Sequence, residues 1–445
     1  MYKKGCLKNS NTFRNLSYRL NGKQLRSKAF FWAVLIMILA TVISNLPSVL
    51  SSQVSTFVIG SAGQILGAGV LASSGSSQDI QAAVDTVNAA GGGTVHVPAG
   101  TFEWSSGATV TVYGGVNVIG ASDAGCSGHP SFTEYSGSTI LKMSVESAND
   151  MFVLDGSNGK PSRISGIVFN ATSPTGTSTC GCAIKAFKSK DFRIDHCTFI
   201  NFKGMSVFVT NVYEGDAYGV VDHCVIRNPY KLVAPDDWAY GFYVQGRATW
   251  WNDITAPLTN FLGKYPVQSG FPVLYVEDCK TSYCRHAVDA IQGGWIVARY
   301  NYFDHPYPTN YAQLNVHGSG DGAWPSCRGF EFYSNTVVGE ASASYAETCW
   351  LRGGAGVVYD NTFTNVKSGG CGVLLSNETC PTQPDEVLHD VWIWDNTIDA
   401  GIAVNNASSS YFVEDVDYFL RAPNNIQDGF AYTPFPYPHY LALED

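Results

Sequence analysis

Charge is scarce in this chain. Only 14% of its 445 residues are Asp, Glu, Lys or Arg, and Met occurs 5 times. Residues 1–50 hold no acid at all, against Lys3, Lys4, Lys8, Arg14, Arg19, Lys23, Arg26 and Lys28. With 27 basic and 37 acidic residues in total, the remainder holds 19 against 37, a net of −18. So acidic a body excludes non-specific binding to nucleic acid or to an anionic membrane. No pair of CxxC motifs occurs, which argues against a zinc site, and no metal ligand is assigned from the sequence. No Gly-x-Ser-x-Gly elbow, phosphate loop or dinucleotide fingerprint occurs either.

What the chain does have is 45 Gly and 13% aromatic residues, too apolar a mixture for disorder. It points to β-structure with many turns. The basic start (1–28) runs into an uncharged apolar segment, 29–50, and then a Ser/Gly-rich linker, 51–75. This order reads as a signal peptide or an uncleaved signal-anchor helix, and either places the body outside the cytoplasm. Twelve cysteines suit an oxidising compartment. Eleven follow the basic flank, so at least one stays unpaired or pairs between chains. Asn170, Asn377 and Asn406 lie in glycosylation sequons.

Ser76-Ser-Gln-Asp79 predicts a capped helix with an apolar stripe of Ile80, Ala83, Val84, Val87 and Ala90. From there the sequence repeats. Ile194-Asp-His-Cys-Thr-Phe199 returns as Val221-Asp-His-Cys-Val-Ile226, Phe332-Tyr-Ser-Asn-Thr-Val337 and Val358-Tyr-Asp-Asn-Thr-Phe363, among others. The fourth residue of each copy is Ile167, Cys197, Cys224, Cys279, Asn301, Asn335, Asn361 or Asn396. Successive spacings are 30, 27, 55, 22, 34, 26 and 35. The 55 is two coils, or one coil with an insertion around 247–271. Short strands at this period mean an all-β solenoid, 76–415, with a C-terminal segment over 416–445. Asn at a recurring turn tolerates a left-handed backbone and can bond the copy above it.

Asp79-Ile-Gln-Ala-Ala-Val84, Gly91-Gly-Gly-Thr-Val-His-Val-Pro-Ala-Gly100 and the Asp-Asn-Thr-Phe turns resemble the pectin-lyase-like right-handed parallel β-helix superfamily. The resemblance covers 76 to about 406. It implies the fold, but leaves function open among polysaccharide lyases, glycoside hydrolases, epimerases, tailspikes and adhesins.

A second strand recurs between the turns, each copy an apolar residue followed by a polar one. The polar positions are Lys185, Thr210, Gln245, Asp289, His317, Arg352, Ser376 and Asn405. Alternation sends the apolar residue inward and the polar one outward, predicting one outward column. The resemblance places a substrate groove over this sheet. Asp289, His317 and Arg352 fall on three consecutive coils and form the candidate catalytic group. Lys185, Gln245, Arg285, Trp250 and Trp251 are candidates for binding substrate. A solvated polar face is the competing reading, and the aromatic insertion (Trp250 to Phe261 and Tyr265) reads equally as a packed lid.

β-Elimination needs a base beside the C5 proton and a cation for the uronate. His317 or Arg352 is the candidate base, Arg352, Lys185 or Ca²⁺ near Asp289 the neutraliser. Pectate lyases resemble this column in using Arg or Lys as base. A calcium site would draw on Asp289 with Glu277, Asp278 or Asp236-Asp237, but no Asp ladder marks one. Hydrolysis needs a second carboxylate, such as Asp304 or Asp321. His196 and His223 are either a metal or catalytic pair or a stacked ladder. The expectation is an exported carbohydrate-active protein acting on a glycan as a polysaccharide lyase. A non-catalytic adhesin or glycan-binding protein comes second and a glycoside hydrolase third.

Overall fold

The computed structural model describes residues 57–59, 65–105, 107–127, 133–143, 149–171, 181–210, 217–228, 239–246, 258–264, 272–304, 312–318, 326–340, 347–378 and 388–443. The basic flank and the apolar run 29–50 lie outside the described residues, as do Trp250 and Trp251. Among the described residues, no helix is long and apolar enough to cross a membrane.

The period read from the sequence is one turn of a right-handed parallel β-helix. Each coil lays down three short strands, as in 190–195, 198–200 and 205–210. Stacked copies build three parallel sheets, here called sheets 1, 2 and 3, of twelve, ten and ten strands. Each strand pairs with its equivalent one coil on: Asp195 with Asp222, Asp222 with Glu277, Glu277 with Arg299. The inward positions stack rings, with Phe152, Phe169 and Phe199 at centroid spacings of 5.5 and 5.4 Å. Such stacks add a little beyond the area they bury. The 55-residue spacing is a single coil with an insertion, because Val225 pairs directly with Lys280.

Helix α1 (Ser77–Ala89) closes the first coil. The Ser76 side chain accepts the Asp79 N–H, as its capping pattern predicts. Ile80, Ala83, Val84 and Val87 are buried on the solenoid, while Ala90 lies past the last turn and is exposed.

The asparagines do form a ladder. Nδ2 of Asn301 donates to Oδ1 of Asn335, Asn335 to Asn361 and Asn361 to Asn396, each at 2.9 Å. The left-handed residue, however, is the one before each rung: His196, His223, Asp278, Tyr300, Ser334, Asp360 and Asp395 all have φ between 49° and 59°. The asparagine amides instead satisfy backbone groups inside the turn, Asn301 bonding the carbonyls of Val276 and Arg299. Cys197, Cys224 and Cys279 fill the same position in earlier coils. Cys126, Cys182, Cys197, Cys224, Cys279, Cys284, Cys327 and Cys349 are buried and free of disulfides. They pack as small apolar residues, with burial raising their thiols so that they stay neutral.

The C-terminal segment folds back over the outer face of sheet 1. Phe430, Tyr432, Phe435 and Leu441 join Tyr275, Trp295, Tyr333 and Trp392 in a second apolar cluster. Phe261 and Leu262, from the insertion, pack into the same cluster, Phe261 against Trp295 at 6.3 Å. The described part of the aromatic insertion is therefore packing on sheet 1, away from the polar column.

Candidate active site on sheet 3

The outward face of sheet 3 carries two rows of side chains where the sequence suggests one. Hydrogen-bonded register aligns Lys185, Phe208, Tyr243, Asp289, Asn315, Trp350, Leu374 and Asn405. Thr210, Gln245 and Ile291 align two residues further along. His317 and Arg352 follow Val316 and Leu351, which pair, and so belong to that second row. A slip of two residues keeps every side chain on its face, so alternation alone does not detect it. Asp289 thus lies diagonally across from His317.

The diagonal still brings the three predicted residues together, through two that the column omits. Nδ2 of Asn315 donates to Oδ1 of Asp289 at 2.7 Å. Nη2 of Arg352 donates to Oδ1 of Asn315 at 3.0 Å, and Nη1 to Oε1 of Glu378 at 2.5 Å. Oε2 of Glu378 meets Nδ1 of His317 at 3.2 Å and accepts the Gly318 N–H at 3.0 Å. Nε2 of His317 stands 3.5 Å from Oδ2 of Asp289. The five side chains close a ring. Arg352 also lies over the Trp350 ring, 4.1 Å from its centroid.

Burial sets the electrostatics. Asp289 is wholly buried and Arg352 6% exposed, while His317 and Glu378 keep 19% and 25% of their side chains in solvent. Burial raises Asp289 to about 6, against the pull of His317, Arg352 and the Asn315 bond. Burial also pushes Glu378 up, but the His317 hydrogen bond and the Arg352 charge outweigh it and hold Glu378 below the ordinary range. Arg352 is lowered by burial, with Glu378 and Asp289 opposing. Burial of Asp289 and Arg352 leaves His317 and Glu378 as the members of the ring that solvent reaches.

His286 completes the surroundings. Like Tyr240, it opens its strand and turns to the side of Asp289; Tyr240 stacks on Tyr243 at 5.1 Å and on His286 at 5.3 Å. Nδ1 of His286 donates to the Ala312 carbonyl at 2.6 Å, and burial drives this imidazole well below its usual value. Cys182, Met205, Tyr240 and Tyr243 form an apolar wall beside it.

The other predicted residues scatter. Lys185 is three strands from Asp289, about 14 Å along the ladder, and pairs with Asp150 at 3.5 Å. It does not reach the ring. Gln245 bonds Gln292 at 2.5 Å in the second row. Arg285 lies over the Tyr240 ring at 5.6 Å, next to His286.

Among the described residues the calcium set is not assembled. Glu277 lies in a strand of sheet 1 and Asp278 follows it, while Asp289 is on sheet 3. Asp236, Asp237 and Asp321 lie outside the described residues, and Asp304 is on sheet 2. His196 and His223 are a stacked ladder, 4.9 Å apart and 7° from parallel, each bonded through Nδ1 to the preceding aspartate.

No protein-family profile and no curated sequence matches the chain. Solved structures with a similar course include the A-module of mannuronan C-5 epimerase AlgE4 from Azotobacter vinelandii, 13% identical at a TM-score of 0.34. That match covers 74% of this chain and 92% of the module. A polygalacturonase from Erwinia carotovora ssp. carotovora is 12% identical at a TM-score of 0.32, covering 76% of this chain and 96% of the enzyme. The superfamily resemblance holds for the fold, which rests on the strand registers above. By name both neighbours are carbohydrate-active enzymes, and scores this low carry no argument about chemistry.

Proposed function

We propose that this is an exported polysaccharide lyase, cleaving an acidic glycan by β-elimination over sheet 3. The observation that carries the reading is the closed ring of Asp289, Asn315, Arg352, Glu378 and His317, in which a partly exposed imidazole is flanked by two carboxylates. His317 is the base. Glu378 fixes its Nδ1 proton, leaving Nε2 to take the C5 proton of a uronate. The C5–H electron pair becomes the C4–C5 double bond, the C4–O bond breaks, and water protonates the departing oxygen. Asp289 and Glu378 stabilise the imidazolium that forms, and Arg352 with Arg285 supplies positive charge for the uronate carboxylate.

The test is ultraviolet absorbance of unsaturated uronate ends, with the full chain on a panel of polyuronates. A rise that is lost in His317→Ala and Arg352→Ala supports elimination at the ring. No rise on any substrate overturns it. A hydrolase is the second reading, because Glu378 supplies the second carboxylate. Bridged by one imidazole, it stands at most about 9 Å from Asp289, which admits both the retaining separation of about 5–5.5 Å and the inverting one of about 6.5–9.5 Å. It ranks lower because both Glu378 oxygens are engaged and Asp289 has no exposed surface. New reducing ends without unsaturation would favour it, and glycan binding without cleavage would favour an adhesin.

A further inference from the structure

Two acceptors face each other in the ring. Oε2 of Glu378 can only accept, so the neutral His317 ring carries its proton on Nδ1 and turns a lone pair on Nε2 toward Asp289. Oδ2 of Asp289, 3.5 Å away and wholly buried, accepts no hydrogen bond among the described residues. Lone pair facing lone pair is unfavourable unless a proton or a metal cation lies between them. His286 supplies a third donor. Its Nδ1 donates to the Ala312 carbonyl, so its lone pair is on Nε2. One ligand atom from each of His286, Asp289 and His317 lies within 4.8 Å of the other two.

From this geometry we infer that His286, Asp289 and His317 form a site for a first-row divalent cation of the zinc type. A cation about 2.1 Å from each donor needs donors about 3.4 Å apart in a tetrahedron, so the Asp289–His317 gap already fits and His286 closes by a small side-chain shift. Each ligand is held from behind, as metal ligands are: His317 by Glu378, His286 by the Ala312 carbonyl, Asp289 by Asn315. Two imidazoles and one carboxylate select zinc or a close neighbour over Ca²⁺, which takes six to eight oxygens. The partly exposed side of His317 leaves a position open to a further ligand.

The test is calorimetric titration of the EDTA-treated full chain with Zn²⁺, without glycan. One equivalent should bind, excess Ca²⁺ should not compete, and Co²⁺ should give the absorption bands of a low-coordinate site. Asp289→Asn and the milder His317→Gln should each weaken binding about a hundredfold, and Glu378→Gln about tenfold. His389→Ala, on a surface histidine paired with Asp390, should change nothing. A folded chain that binds neither Zn²⁺ nor Co²⁺, or undiminished binding in both ligand variants, overturns the site. Activity separates this inference from the lyase reading on which it touches. A bound cation takes the lone pair that elimination asks of His317, so Zn²⁺ should inhibit. Activation would support the metal site and overturn His317 as base.

Discussion

Two groups of buried charge sit on different sheets of this solenoid, and they are finished differently. On sheet 1, Glu277 accepts from Nε of Arg299 at 2.8 Å and from the His439 N–H at 3.0 Å. Arg299 spends its other N–H groups on the Tyr333 hydroxyl and the carbonyls of Phe435 and Pro436. Glu331 accepts from the Gly263 N–H and the Tyr432 hydroxyl. Every carboxylate oxygen there has a partner from the chain itself. On sheet 3, Asp289 is as deeply buried and leaves Oδ2 without one among the described residues. Burial of charge is common to both; they differ in whether the described chain satisfies every carboxylate oxygen.

The largest way to press this contrast is Arg299→Met. It strands Glu277 without its cation and should cost about 3–5 kcal/mol in urea unfolding. A loss below about 1 kcal/mol would dissolve the distinction. Next comes Asn335→Ala, which interrupts the amide ladder on both sides and should cost about 1–3 kcal/mol by the same measurement.

The pH dependence comes third. Burial alone would raise Asp195, but hydrogen bonds from Arg163 and His196 and the charge of Arg193 hold it well below the carboxylate range. A depressed carboxylate contributes its stability above the unfolded value, near pH 4, and loses it as pH falls further. Stability should therefore drop below pH 4 by up to about 1.4 kcal/mol per unit, and Arg163→Met should flatten that slope. The smallest effect belongs to sheet 3. Asp289→Asn removes a buried charge that lacks a full set of partners and keeps an oxygen for Asn315, so stability should change by less than about 1 kcal/mol.

Fold and site were legible to different depths. Repeats with β-branched residues and recurrent Asn turns announce a stacked solenoid, because each coil must bury its inward stripe on the next. The capping serine announces helix α1 in the same way. Sheet 3 is harder. Asp289, His317 and Arg352 stand out by residue type, but their relation depends on a two-residue register that alternation does not encode. Asn315 lies two residues before His317, at a position that the apolar–polar pattern of the column does not single out. Glu378 lies two positions past Ser376, after its strand has ended, and His286 precedes Asp289 by an odd number of residues. Strand periodicity places such an odd-spaced residue on the far face, and only the outward turn of the strand's first residue brings it round. The pairing of Glu277 with Arg299 one strand away was equally hidden, since the column that holds it looks like scattered polar positions.

The returning C-terminal segment has a consequence in time. Solenoid coils close on near neighbours and can assemble in order as the chain is made. The sheet 1 face cannot be finished that way. Tyr440 reaches back to Asp191 across 249 residues, and the Phe435 carbonyl to Arg299 across 136. Until residues 430–441 have been made, Tyr275, Trp295 and Tyr333 lack the cover of Phe430, Tyr432, Phe435 and Leu441, a sticky surface of the kind that makes folding intermediates aggregate. Residues 430–441 are thus what ends that exposure. A chain broken off between 420 and 429 would keep every described strand and still be prone to aggregate.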